Sequence, residues 1–162
     1  MKIAISAETT IDLTPELLKE FDIKTLPFTL VLGEDSVLDG QISPDELFAY
    51  TEKTGQLPRT SAVNQFQYEE HFRPILQEYD VIIHFALSSK ISSACSNAIA
   101  ASEEEEFKGK VFIIDTLSLS TGIALQAIYA RKLARIGKDP EEIVDLCKQR
   151  IRSEERRVGK EC

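Results

Sequence analysis

Cysteine is scarce in this sequence, and its spacing leads nowhere. Cys95, Cys147 and Cys162 are odd in number, far apart and form no C-x-x-C. That excludes a disulfide framework and a thiolate zinc site. Positive charge is also in deficit: Lys plus Arg is 19 against 27 for Asp plus Glu, a formal charge of -8. A nucleic-acid reader needs a basic footprint for the phosphates, so that class is set aside, whereas a small anion held in a pocket is not. Long apolar runs are missing, and no stretch reaches the length of a membrane span. Lys2 to Ser6 reads as a strand, not as part of a signal peptide, which makes the cytoplasm the expected compartment. The glycine motifs of nucleotide and hydrolase sites are absent as well. Without G-x-G-x-x-G, G-x-x-x-x-G-K-[ST] or G-x-S-x-G, neither a standard phosphate cradle nor a nucleophile elbow has support.

What is present fits one domain with a real core: 162 residues, 43% hydrophobic and 28% charged. Apolar runs at Lys2–Ala7, Asp80–Ala86 and Lys110–Asp115 predict buried strands. Lys24 to Leu32 alternates and is rich in β-formers, with Pro27 marking an edge or a bend, and a short strand follows around Ser36–Leu38. Thr14-Pro15, Ser43-Pro44, Asn64 and Asp139-Pro140 each offer helix-start chemistry. Further helices follow Ser93 and Thr121, and Gly137 ends the latter. Arg59 to Ala62 reads as a polar loop. Strands alternating with helices predict an α/β fold, a mostly parallel sheet flanked by helices on both faces. The acidic run Glu103–Glu106 reads as a solvated face, not a metal site.

In such a sheet, ligands sit at the carboxyl ends of the strands. Three predicted strand ends deliver hydroxyls there: Ser6, Thr9 and Thr10; Ser88, Ser89, Ser92 and Ser93; Thr116, Ser118, Ser120 and Thr121. Two of these loops open helices, whose free N–H groups and positive dipole ends favour an anion. This predicts a small-anion site without a fixed positive charge. The competing reading makes the same residues ordinary helix caps and turn formers. His84 lies inside an apolar strand and reads as a core histidine with a backbone partner. His71, beside Glu69 and Glu70, reads as a surface residue. Cys95 reads as a packed small residue; the alternative is a thiol whose pKa the helix dipole lowers.

Six segments carry a resemblance to a known family. They are S-A-E-T-T-I-D-L-T-P-E-L-L (Ser6–Leu18), V-L-G-E-D-S-V-L-D-G (Val31–Gly40), I-S-P-D-E-L-F (Ile42–Phe48), L-P-R-T-S-A-V (Leu57–Val63), L-S-S-K-I-S-S (Leu87–Ser93) and I-D-T-L-S-L-S-T-G (Ile114–Gly122). In this order and spacing the chain resembles the N-terminal half of the DegV family of bacterial fatty-acid-binding proteins. The resemblance implies a carrier, not an enzyme, that holds one long-chain fatty acid and presents its carboxyl group to a separate fatty-acid kinase. It implies no cofactor beyond that ligand. It assigns the carboxylate to Thr60 and Ser92, with Ser61 and Ser93 in support. The chain departs from the family at Ser93, where glycine is usual, at Ala94, where a hydroxyl is usual, and at Glu8, where aspartate is more usual. The other reading is a small enzyme acting on a phosphorylated or carboxylated metabolite, with Asp115 or His84 as base. A pure interaction domain is a third.

The last eleven residues, Arg152–Cys162 (R-S-E-E-R-R-V-G-K-E-C), stand apart. They lack apolar periodicity and look like a translated sequencing-adapter tail, which makes residues 1–151 the native domain and the chain a fragment. The alternative is the solvated end of a real helix.

Overall fold

The computed structural model describes residues 1–158, with side chains as far as residue 152. Its centre is a four-stranded parallel sheet in the order β2-β1-β6-β7, formed by Ile23–Leu26 (β2), Ile3–Glu8 (β1), Val81–Ala86 (β6) and Val111–Asp115 (β7). β1 and β6 are buried along their whole length, as continuous apolar runs in a doubly covered sheet should be. Helices Gln65–Glu78 (α3) and Ala94–Glu103 (α4) pack together against β6, and α4 also reaches β7. Helices Thr121–Arg135 (α5) and Pro140–Val158 (α6) pack together against strands of the same sheet. Each pair packs within itself and on strands that are buried along their whole length, which puts the two pairs on opposite faces. The expected α/β class and flanked parallel sheet are therefore found.

The predicted strand over Lys24–Leu32 is instead two strands. β2 ends at Leu26, Pro27 breaks the ladder, and Thr29–Leu32 (β3) joins a second, antiparallel sheet with Asp35–Leu38 (β4) and Arg59–Ser61 (β5), in the order β4-β3-β5. Proline cannot donate to a ladder, so the chain changes sheets there. Arg59–Ser61 is correspondingly an edge strand and not a loop, paired through Thr60 and Leu30. Strand β1 also runs one residue past the predicted apolar run, to Glu8.

Three helix starts follow the cap chemistry of the sequence. Thr14 accepts a hydrogen bond from Leu17 N–H before Pro15–Glu20 (α1), while Ser43 before Pro44–Thr54 (α2) and Asn64 before α3 form full capping boxes. Helix α6 continues into the segment set apart above and is described as far as Val158. Residues 159–162, Cys162 among them, lie outside the described residues.

One charged side chain ties the layers together. Arg131 of α5 is buried and donates to the carbonyls of Phe21 (2.8 Å) and Ile3 (3.1 Å), and to the carbonyl and carboxylate of Asp22. These acceptors sit between α1 and β2 and at the start of β1. An Arg131→Met variant would fill similar space but orphan several of them. It is expected to lose about 2–4 kcal/mol in urea unfolding at neutral pH. An unchanged midpoint would show that the clamp contributes nothing net.

Candidate functional site

The carboxyl ends of β1, β6 and β7 meet at one rim, and backbone hydrogen bonds lace their loops together. Ser88 N–H donates to Ser118 O at 3.1 Å, and Ser120 N–H to Thr10 O at 3.0 Å. Asp115 Oδ1 accepts from Ser89 N–H (3.2 Å) and Leu117 N–H (3.1 Å). This gives Asp115 the work of shaping two loops. Ser92 is half-buried in the β6–α4 loop. Its N–H donates to Ser88 O at 3.2 Å and its Oγ accepts from Ala94 N–H at 3.1 Å. That acceptance leaves the Ser92 O–H proton available for an external acceptor.

Thr60 and Ser61 lie exposed on β5, and strand alternation turns their side chains to opposite faces. Two residues on, the Val63 carbonyl accepts from Asn97 Nδ2 of α4 at 2.8 Å. The Thr60 segment is thereby stapled to the first turns of the helix that Ser92 precedes. Ser93 and Ser120 flank the N-termini of α4 and α5, yet neither side chain caps its helix. The competing reading thus fails as capping at these two positions but holds as turn formation at Ser88, Ser92 and Thr116, whose hydroxyls accept from the N–H two residues on. The β7–α5 loop is also strained. Leu117 (φ 49) and Ser120 (φ 54) both adopt the left-handed region that glycine favours. Gly122 is required by close approach, because a Cβ there would lie 1.8 Å from Ser118 Oγ.

Beneath the rim lies a polar cluster that the sequence reading does not assemble. Ser6 and Glu8 alternate on β1, so both face the same side, and Ser6 lies opposite His84 of β6. All three are fully buried. Glu8 Oε1 accepts from Tyr68 O–H and, at 3.0 Å, from His84 Nε2–H; Glu8 Oε2 accepts from Leu87 N–H at 3.0 Å. His84 Nδ1 lies 3.0 Å from Ser6 Oγ, which lies 2.7 Å from His71 Nε2. His84 is a core histidine, as expected, but its partners are side chains and not backbone groups. Enclosed on all sides, it presents no face to a substrate and is no candidate base. His71 is not a surface residue. It is half-buried on the inner side of α3, where burial pushes its pKa down to about 3 and keeps the ring neutral.

A neutral His71 can stand on either side of the Ser6 hydroxyl, as donor or as acceptor. The single Ser6 proton therefore sets the direction of the chain, toward His84 or toward His71. The missed signal was helical spacing. Tyr68, His71, Phe72 and Ile75 follow i, i+3, i+4, i+7, which places His71 on the apolar stripe. Cys95 is buried, and burial raises its thiol to about 11, opposite to what a reactive thiol needs. Among the described residues no three metal-ligating side chains converge, and no helix is long and apolar enough to cross a membrane.

The fold has known counterparts. Residues 2–156 match the family described as "Uncharacterised protein, DegV family". A Thermotoga maritima protein named as a fatty acid-binding protein is 26% identical over 159 residues, which are 96% of this chain and 54% of that one. The structure of a DegV family protein from Thermus thermophilus, described as fatty acid binding, superposes with a TM-score of 0.85 at 25% identity, over 94% of this chain and 54% of the other. A second Thermotoga maritima structure, described as revealing a fatty acid binding function, gives 0.85 at 28% identity, over 95% and 56%. The chain spans about half the length of the curated relatives it matches. With a family match over almost its whole length, and a shared architecture of parallel sheet plus small antiparallel sheet, the chain belongs to the DegV family.

Proposed function

We propose that this chain is the carboxylate-holding part of a fatty-acid-binding protein. Thr60 and Ser92 donate their hydroxyl protons to the carboxylate of a long-chain fatty acid, with Ser93 and the remaining free amides opening α4 in support, and Ser61, its side chain turned to the other face of β5, supports through its backbone. The observation that carries this reading is the set of rim hydroxyls at helix starts that do not cap their helices, beside a Ser92 proton left free to donate. Local dipoles then replace a fixed cation, which suits a chain with a formal charge of -8. Ile91 and Leu119 stand exposed in the same two loops, so apolar surface adjoins the polar donors as an acyl chain requires. The named and solved relatives described as fatty acid binding give independent support. In this reading the protein performs no chemistry itself. A separate fatty-acid kinase phosphorylates the presented carboxyl group.

Organic extraction of the purified protein followed by mass spectrometry is expected to recover fatty acid. Thr60→Val combined with Ser92→Ala is expected to weaken binding of a fluorescent fatty acid by roughly tenfold per lost hydrogen bond. Wild-type affinity in the double variant would overturn the assignment. Acyl phosphate formed by this protein and ATP alone would overturn the carrier reading.

A further inference from the structure

We infer that Glu8 is a positioning residue for Ser92, acting through the backbone of the β6–α4 loop. The inference rests on the carboxylate-binding reading of Ser92 given above. The path is short and each step is a hydrogen bond. Glu8 Oε2 holds Leu87 N–H, the first amide beyond β6, at 3.0 Å. The next residue, Ser88, offers its carbonyl to Ile91 N–H (3.1 Å) and to Ser92 N–H (3.2 Å). Where β6 releases the chain is thus fixed by a charge buried in the core, and the turn that carries Ser92 is folded onto that point. Two other anchors act on the same loop from the β7 side, Ser118 O on Ser88 N–H and Asp115 Oδ1 on Ser89 N–H. Glu8 is the anchor on the β1 side. Its other oxygen is held by Tyr68 and His84, so the carboxylate cannot swing away from Leu87 without leaving two buried donors unpaired.

The cluster is built so that a neutral amide can stand in for the charge. In Glu8→Gln the side-chain oxygen still accepts from Leu87 N–H, and the new NH2 group donates toward His84 Nε2 and Tyr68 Oη. His84 then carries its proton on Nδ1 and donates to Ser6, which turns its own proton to the neutral His71. The chain of the two histidines and Ser6 runs in reverse with each still partnered, and the one loss is the acceptor of the Tyr68 hydroxyl proton, whose oxygen now accepts from the amide instead. In Glu8→Ala no such rearrangement exists.

The test measures amide hydrogen exchange and cis-parinaric acid binding on the full chain. Exchange at Leu87, Ile91 and Ser92 is expected to rise at least tenfold in Glu8→Ala relative to a core amide such as Ile83, with roughly tenfold weaker probe binding. Glu8→Gln is expected to restore both to near wild type. If Glu8→Ala does not fold, Glu8→Asp takes its place, since it keeps the charge but shortens the reach by one methylene. Unchanged loop exchange together with unchanged affinity in a folded variant overturns the inference, as does a Glu8→Gln variant as impaired as Glu8→Ala. If the wild-type chain does not bind the probe, the carboxylate-binding reading fails, and exchange alone decides the positioning role. Selective loop opening then upholds it and equal protection overturns it.

Discussion

Replacing Phe72 with alanine is expected to remove about 4 kcal/mol of unfolding free energy. The ring is fully buried on α3, with centroids 5.8 Å from Tyr68, 5.5 Å from His84 and 6.0 Å from Phe107. Truncation loses the transfer free energy of the ring and leaves a cavity in a layer held between a helix and a fully covered strand. Domains of this size are stable by only about 5–15 kcal/mol, so the loss is a large fraction of the whole. Phe66 on the same helix is the internal control. It is 66% exposed, and its alanine variant should stay within about 0.5 kcal/mol of wild type. Urea unfolding of the two variants in parallel measures both. Equal losses would show that the α3 face is not packed as described.

Glu8→Ala is expected to cost about 3–5 kcal/mol, because it strands Tyr68 O–H, His84 Nε2–H and Leu87 N–H in the interior. Its pH dependence identifies the cause. Burial alone would raise the Glu8 carboxyl, but the electrostatic pull of the neighbouring His84 and hydrogen bonds from His84, Tyr68 and Leu87 outweigh burial and hold it below its ordinary value near 4.5. A carboxyl lowered by folding stabilises the native state above its unfolded pKa and loses that contribution as pH falls through the folded one. The gap between wild type and Glu8→Ala should therefore be constant near neutrality and narrow in acid, below about pH 4.5. Buried neutral His71 also weakens the fold in acid; it is present in both proteins and cancels in the difference above about pH 3, where its ring is neutral in both. Urea midpoints at pH 7 and in acid decide the matter, and a gap that widens in acid would refute this account.

Helix starts and central strands were legible because each is encoded locally. Asn64 with Gln67 and Ser43 with Glu46 specify their caps within one turn, and α2 and α3 begin at the residues those pairs dictate. Val81–Ala86 is apolar over the whole length of a strand and is buried over that length. Pro27 was read as an edge or a bend, but a change of sheet depends on partners as distant as Ser61 and could not be read from Lys24–Leu32 alone. The hydroxyls of the rim could be named from their position after strands. Whether they cap a helix is a matter of geometry, which is why Ser93 and Asn64 look alike as letters and differ in the fold. The Glu8 cluster was hidden for a similar reason. Its β1 members, Ser6 and Glu8, find their partners on α3, on β6 and at Leu87 just beyond it, 60 to 79 residues away, and each residue alone has an ordinary explanation.

The pairing of β1 with β6 also has a consequence for how the chain reaches its native state. Ile3 lies across from Val81, so during synthesis β1 must wait for some eighty further residues before its main partner exists. Contacts this distant in sequence close slowly, and an apolar strand left waiting invites pairing with other chains. Lys2 and Glu8 bracket the apolar run Ile3–Ala7 with a charge at each end, the arrangement that discourages such aggregation. The carboxylate that ends as a buried anchor would thus serve first as a gatekeeper on an unpaired edge.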